Sequence, residues 1–302
     1  MSDETTGRTG SVEFGPWRTW YRVSGGGAPD AVPLIVIHGG PGCTHDYLLS
    51  LTDLATPERP VVHYDQIGNG RSTHLPDRPA GEWTAEFFMA ELQNLVDRLG
   101  FSSFDLLGQS WGGMLAAQYA TGRPAGLRRL VIANSPAAMR LWIEGVGQLR
   151  ADLPEFVQET LTRHERAGTT GSAEYRLASE VFYARHVCRL APWPEEVVRT
   201  FAQVDADPTV YHTMNGVNEF HVTGTLRDWS VVDDLPRIAV PTLLVTARHD
   251  EAAPVAYRPF LDRVPDCREA HFAHSSHMPH VEERERFMAS VAAFLDTTPA
   301  PA

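Results

Sequence analysis

Residues 104–119 restrict this chain more than any other stretch. Residues 104–107 form an apolar run of strand length, and residues 114–119 favour a helix. Between them stands Gly108-Gln109-Ser110-Trp111-Gly112, a turn with room for little but a sharp passage from strand into helix. So tight a turn needs neighbours without side chains, and Gly108 and Gly112 meet that need. Ser110, at the apex, then stands clear of the sheet above a helix N-terminus. A Gly-rich turn with a chance serine is the competing account. The strand before it and the helix after it favour a nucleophile.

The rest of the chain supplies neighbours for that strand. Strand-like runs at residues 19–23, 33–37, 61–64, 130–133, 242–246 and 267–270 alternate with helical runs at 46–54, 83–99, 255–264 and 282–294. Such alternation predicts a mostly parallel sheet covered by helices on both faces. Between residues 136 and 229 the strands lapse. Helical runs at 140–149, 155–167, 175–187 and 195–204 take their place, with aromatics at Trp142, Tyr175, Phe182, Tyr183, Trp193, Phe201, Tyr211 and Phe220. This predicts a helical cap inserted over the sheet, with most of those aromatics in its core. The expected division is a core of residues 1–135 and 231–302, with the cap at 136–230.

Asp and Glu outnumber Lys and Arg, 38 to 26, for a net charge of −12. That balance argues against nucleic acid or an anionic membrane as partner and leans towards a cationic ligand. Cys43, Cys188 and Cys267 are odd in number and widely spaced, with no metal or redox pattern. Reduced thiols in the cytoplasm are expected. Residues 1–10 lack the basic start and apolar centre of a secretory leader, and no apolar run is long enough to span a membrane. Residues 297–302 read as a frayed Pro/Ala-rich end.

A serine hydroxyl attacks only when a base takes its proton, and the base needs a third group to fix its tautomer. With a serine at such an elbow, the chain order is serine, acid, histidine. Asp250 follows the run 242–246 and so sits at a strand's carboxyl end; Asp228, Asp233 and Asp234 precede that strand and fit worse. The base belongs to the last loop, which offers His271, His274, His277 and His280. Their spacing by three would suit a metal only on a helix, and Ser275, Ser276 and Pro279 predict a loop, so no metal is expected. Position alone leaves the choice among the four histidines open. The oxyanion needs two backbone N–H donors. Trp111, after the nucleophile, gives one, and the loop at Gly39-Gly40 gives the other. His38 in that loop reads as a structural hydrogen-bonding residue.

Three segments taken together resemble the proline iminopeptidase family of α/β-hydrolases. They are His38-Gly39-Gly40-Pro41-Gly42, Asp65-Gln66-x-Gly68-x-Gly70-x-Ser72 and Gly108-Gln109-Ser110-Trp111-Gly112-Gly113. L-proline amide and L-amino-acid amide hydrolases share the pattern, and the resemblance runs over residues 14–295. It implies the α/β-hydrolase fold with an inserted cap and no cofactor. It implies Ser110, Asp250 and His277 as the triad, with Gly40 and Trp111 as oxyanion donors. It also implies that Glu219, in Met214-Asn215-Gly216-Val217-Asn218-Glu219-Phe220, and Glu251 bind the substrate's free α-amine. Asn69 stands where the family commonly has cysteine, and Val217 where it commonly has proline. The expected activity is cleavage of the amide bond after a free N-terminal proline or similar residue, in a short peptide or small amide. An esterase or lactonase without amine recognition is the alternative. A scaffold that only binds a ligand would need no triad, and an epoxide hydrolase would need aspartate at the elbow.

Overall fold

The computed structural model describes residues 7–297. The end at 297–302 therefore lies, Thr297 apart, outside the described residues, as do residues 1–6. Eight strands form one sheet: β1 (Gly7–Phe14), β2 (Trp17–Ser24), β3 (Leu34–Ile37), β4 (Val61–Tyr64), β5 (Phe104–Gln109), β6 (Leu127–Ala133), β7 (Thr242–Ala247) and β8 (Cys267–Phe272). Their order is β1-β2-β4-β3-β5-β6-β7-β8. β1 and β2 pair antiparallel, as do β2 and β4, and the six strands from β4 to β8 run parallel. Strands buried on both sides must be apolar on both, which is why Leu-Ile-Val-Ile in β3 is continuous. Its alternate residues serve different faces. Ile35 and Ile37 join Leu106, Phe88 and Leu115 on one; Leu34 and Val36 join Leu107, Phe272 and Val291 on the other.

The helices are α1 (Ala85–Arg98), α2 (Trp111–Thr121), α3 (Met139–Ala151), α4 (Glu155–Ala167), α5 (Ala173–His186), α6 (Glu195–Ala206), α7 (Thr209–Met214), α8 (Pro254–Arg263), α9 (Pro279–Glu282) and α10 (Arg284–Leu295). Thr84 caps α1 by accepting the Phe87 N–H at 3.2 Å. Helices α3 to α7 all fall between β6 and β7, where no strand was expected. Between β6 and β7, Trp142, Tyr175, Phe182, Tyr211 and Phe220 are buried.

Three local expectations differ. β1 escapes the sequence pattern because it is an edge strand with only Val12 buried, so it carries no apolar alternation. Residues His45–Leu54 form a 3-10 helix. The final helix is broken between α9 and α10 at Glu283. There Glu282 accepts the Ser276 N–H and hydroxyl at 2.7 and 2.8 Å, while Glu283 accepts the His274 N–H and the Ser275 hydroxyl at 3.1 and 2.6 Å. The two carboxylates hold the preceding loop from both sides, and the helix bends to let them.

Candidate active site

The parallel register brings the carboxyl ends of neighbouring strands level. Ile37 is opposite Gly108, Gln109 opposite Ala133, and Ala133 opposite Val245. The loops leaving those ends carry the residues singled out by sequence, as expected where an open α/β sheet presents its ligand crevice. Ser110 joins β5 to α2 with φ 55° and ψ −123°. That conformation costs a side-chain-bearing residue about 1–3 kcal/mol, and its surroundings enforce it. The Ser110 N–H donates to Ala133 O at 2.9 Å, and its carbonyl accepts from Gly113 N, Met114 N and the Ser135 hydroxyl at 2.9, 3.1 and 2.7 Å. A Cβ on Gly108 would strike the Gly112 carbonyl, and one on Gly112 would strike the Ile37 carbonyl. Both glycines are thus required by close backbone approach.

Among the four histidines the structure makes a clear separation. His271 and His274 are exposed. His280 is buried and donates through Nε2 to Tyr47 O at 3.1 Å; burial pushes it down to about 3, so it stays neutral. His277, 4% exposed, donates through Nδ1 to Asp250 Oδ1 at 2.7 Å. Asp250 also accepts the Ala252 N–H at 2.9 Å and the Asn134 amide at 2.7 Å, so its carboxylate is fixed on three sides. With the proton on Nδ1, the imidazole's Nε2 is left as the acceptor. Nε2 meets Glu251 Oε1 at 3.5 Å. Among the described residues, no hydrogen bond joins it to the Ser110 hydroxyl. Asp228, Asp233 and Asp234 are exposed.

Gly40, Ser110, Glu219, Glu251 and His277 line one small cavity. Gly40, Ser110, Trp111 and Glu219 line an adjoining crevice. The Trp111 N–H opens α2 and belongs to the group that a helix leaves without an internal acceptor. Gly40 has φ +109°, and a Cβ there would meet Gly42 N at 2.5 Å. All seven residues picked out by sequence therefore converge, with Asp250 behind His277. His38 is buried and accepts the Gln66 N–H at 3.0 Å; burial pushes it down to about 4, in keeping with a structural role.

The glutamates define the site's electrostatics. Glu251 is 1% exposed, and neither of its carboxylate oxygens has a hydrogen-bond partner among the described residues. Burial first, then the nearby Glu219 and Asp250, pushes its carboxyl well above the usual range. Glu219 is half-buried and also raised by burial. It accepts from the Tyr211 hydroxyl at 2.5 Å. Its loop is fastened without the family's proline. Asn218 Oδ1 accepts Phe220 N at 3.2 Å and His221 N at 2.8 Å, and Asn215 donates to Asn218 O at 3.0 Å, while Val217 is exposed.

Several contributors were not legible as site residues. Trp142 donates to Glu219 O at 2.8 Å and packs edge-on to His277, ring centres 6.0 Å apart. Gln109 links three loops: its Oε1 accepts from Tyr47 at 2.5 Å and its Nε2 donates to His277 O at 2.9 Å, while Tyr47 itself accepts the Gly39 N–H at 2.7 Å. The only advance signal was Gln109's place in the elbow. Cys43 borders the small cavity and also a larger one of ≈ 490 Å³ lined by Tyr183, Trp193, Phe201 and Tyr211. Burial pushes the Cys43 thiol up, so it is not a thiolate nucleophile near neutrality.

Comparison with known proteins agrees with this geometry. Residues 32–284 match the family model described as alpha/beta hydrolase fold. The chain is 34% identical to a proline iminopeptidase of Clostridium botulinum over 92% of this chain and 94% of that one. Among solved structures, it is similar to a proline iminopeptidase of Mycobacterium smegmatis, 49% identical with a TM-score of 0.89 over 95% of this chain and 97% of that one. It is also similar to VinJ, 54% identical with a TM-score of 0.93 over 96% and 98% of the two chains. Such similarity, sustained along nearly the whole length of both partners, makes this chain a member of the proline iminopeptidase family of α/β-hydrolases.

Proposed function

We propose that the protein is a serine hydrolase that removes proline, or a residue of similar size, from the free N-terminus of a short peptide or small amide. Ser110 Oγ attacks the carbonyl carbon and passes its proton to His277 Nε2, while Asp250 holds Nδ1–H and stabilises the imidazolium. The Gly40 and Trp111 N–H groups receive the oxyanion. His277 then protonates the departing nitrogen, and water repeats the sequence on the acyl-enzyme. Residues 136–230 act as a cap that closes over the amine end of the substrate. The aromatic cavity beyond Cys43 gives the leaving group room. No disulfide joins the cysteines among the described residues, which fits a reducing compartment such as the cytoplasm. Among the same residues no helix is long and apolar enough to cross a membrane.

One observation carries the specificity. Glu251 is buried beside the candidate nucleophile with both oxygens unpartnered, and Glu219 is next to it. A buried carboxylate is costly unless a cation meets it, and an α-ammonium supplies that cation with its hydrogen-bond donors. Acetylating the amine removes the charge and adds bulk. N-acetylprolinamide should therefore be cleaved ~100-fold or more slowly than prolinamide, each factor of ten being about 1.4 kcal/mol. Equal rates for the two would replace this reading with an esterase or lactonase lacking amine recognition.

A further inference from the structure

Glu219 stands on an irregular stretch between α7 and β7. A carboxylate there that has to meet an ammonium must be held to within about 0.5 Å. Asn218, one residue earlier, is 3% exposed, and both ends of its side chain are committed. Its Oδ1 accepts the Phe220 and His221 N–H groups, and its Nδ2 donates to the Tyr175 hydroxyl at 2.7 Å. Tyr175, buried on α5, donates in turn to Glu165 Oε1 on α4 at 3.1 Å. Arg150, on α3, grips both oxygens of Glu165, at 2.8 and 2.9 Å.

The direction of this chain is set at its far end. A guanidinium only donates and a carboxylate only accepts, so Glu165, paired with Arg150, requires the Tyr175 proton. Burial, then the Glu165 charge, pushes the Tyr175 hydroxyl up, and it keeps that proton to give. Its oxygen then faces Asn218 as an acceptor. Only the Nδ2 end of the amide can meet it, which turns Oδ1 towards the two N–H groups beyond Glu219. A buried hydroxyl has to find some partner, so the bond to Glu165 alone says nothing about function. What ties the chain to the site is where it ends: Asn218 brackets Glu219, through its own backbone on one side and the next two N–H groups on the other. We infer that Arg150, Glu165, Tyr175 and Asn218 form a one-way relay that positions Glu219 for the substrate's ammonium. None of the four lines the small cavity or the crevice that hold Ser110, so they are positioning residues. The inference rests on the amine-binding reading of Glu219 and extends it to the residues that aim the carboxylate.

The test compares two methyl esters on the intact enzyme, methyl prolinate and methyl cyclopentanecarboxylate. They differ at one ring position, an amine in the first and a methylene in the second. Both release methanol, which keeps the larger cavity bordered by Tyr175 and Asn218 out of the comparison. Wild-type kcat/KM should favour the amine ester ~100-fold or more. Tyr175→Phe keeps the ring and cuts the relay at its centre. It should lower kcat/KM for methyl prolinate about tenfold. The value for methyl cyclopentanecarboxylate, and the rate at which a small amine-free fluorophosphonate labels Ser110, should stay within about twofold of wild type. Glu165→Gln, at the half-buried end, removes the charge that sets the direction and should lower the ester ratio about threefold. A wild-type ratio in Tyr175→Phe, or an equal loss on both esters, overturns the relay. The same criterion applies to Glu165→Gln, which decides the matter should Tyr175→Phe fail to fold. If the wild-type enzyme discriminates in that event, only the relay falls. If it turns over both esters alike, the amine-binding reading falls and takes the relay with it.

Discussion

At the scale of single residues, burial and hydrogen bonding separate four histidines that spacing could not. His277→Ala should lower turnover by several orders of magnitude, nearly as far as Ser110→Ala, because base and nucleophile act as one unit. Ser110→Ala should also abolish phosphonate labelling while leaving the thermal transition in place. His274→Ala, on an exposed ring, should leave turnover close to wild type. His280→Ala removes a buried ring bonded to Tyr47 O, so its effect belongs to stability, a loss of ~2 kcal/mol or more with a smaller effect on turnover. Steady-state kinetics with denaturant unfolding on all four variants checks the set. Equal kinetic loss at His274, His277 and His280 would mean the loop is acting as a structural whole. Ser110 and Asp250 were legible because an elbow and a strand end leave local patterns. Tyr211, Trp142 and Tyr47 were not, since each joins the site through side-chain contacts that no local pattern encodes.

At the scale of elements, the loop after β4 is held by a buried carboxyl. Glu91, on α1, accepts the Thr19 hydroxyl at 2.6 Å and the Ile67 N–H at 3.0 Å. Burial, opposed by those two donors and aided by Asp65, pushes Glu91 from 4.5 up to about 8. Because the folded value is raised, the folded chain holds this proton more tightly than the unfolded chain. The stabilisation is complete below about 4.5 and declines as pH rises through about 8, with a slope of up to ~1.4 kcal/mol per pH unit. Glu91→Gln cannot titrate. The gap in unfolding free energy between wild type and Glu91→Gln should therefore shift in favour of the variant as pH rises from 5 to 8; a constant gap would mean Glu91 is ionised throughout. The same scale sets what the sequence revealed of the fold. Buried parallel strands such as β3 and β4 announce themselves as apolar runs. β1 does not, because an edge strand needs few apolar residues. The break at Glu283 and the short α7 follow from contacts with other segments, which no local pattern encodes.

At the scale of the molecule, the loops of the sheet and the stretch inserted between β6 and β7 meet at one site. The sheet's loops bring Ser110, Asp250 and His277, and residues 136–230 bring Trp142, Tyr211 and Glu219. Two of the fastenings along their seam differ in what they hold. At one, α6 lies on the 3-10 helix, where Asp46 accepts from Gln203 at 2.8 Å and Arg199 at 3.2 Å, and the Thr200 hydroxyl accepts the Tyr47 N–H at 3.1 Å. At the other, the carbonyl of His186 at the end of α5 accepts both the Glu251 and the His277 N–H groups, at 3.3 and 3.2 Å. The His186 ring donates to His249 O at 2.9 Å and packs on Phe182, ring centres 4.9 Å apart. The second fastening thus ties the acid and base loops to the end of α5. The two should differ in kind when broken. His186→Ala frees the end of α5 and should lower kcat about tenfold, a change of ~1.4 kcal/mol in the barrier. Gln203→Ala, at the first fastening, should cost about 1 kcal/mol of stability yet leave kcat within about twofold. Measuring kcat, KM and unfolding free energy for both variants decides the matter. A fall in kcat that merely tracks lost stability in each would make the inserted helices a passive cover; a fall confined to His186→Ala would make the end of α5 part of what holds the base in place.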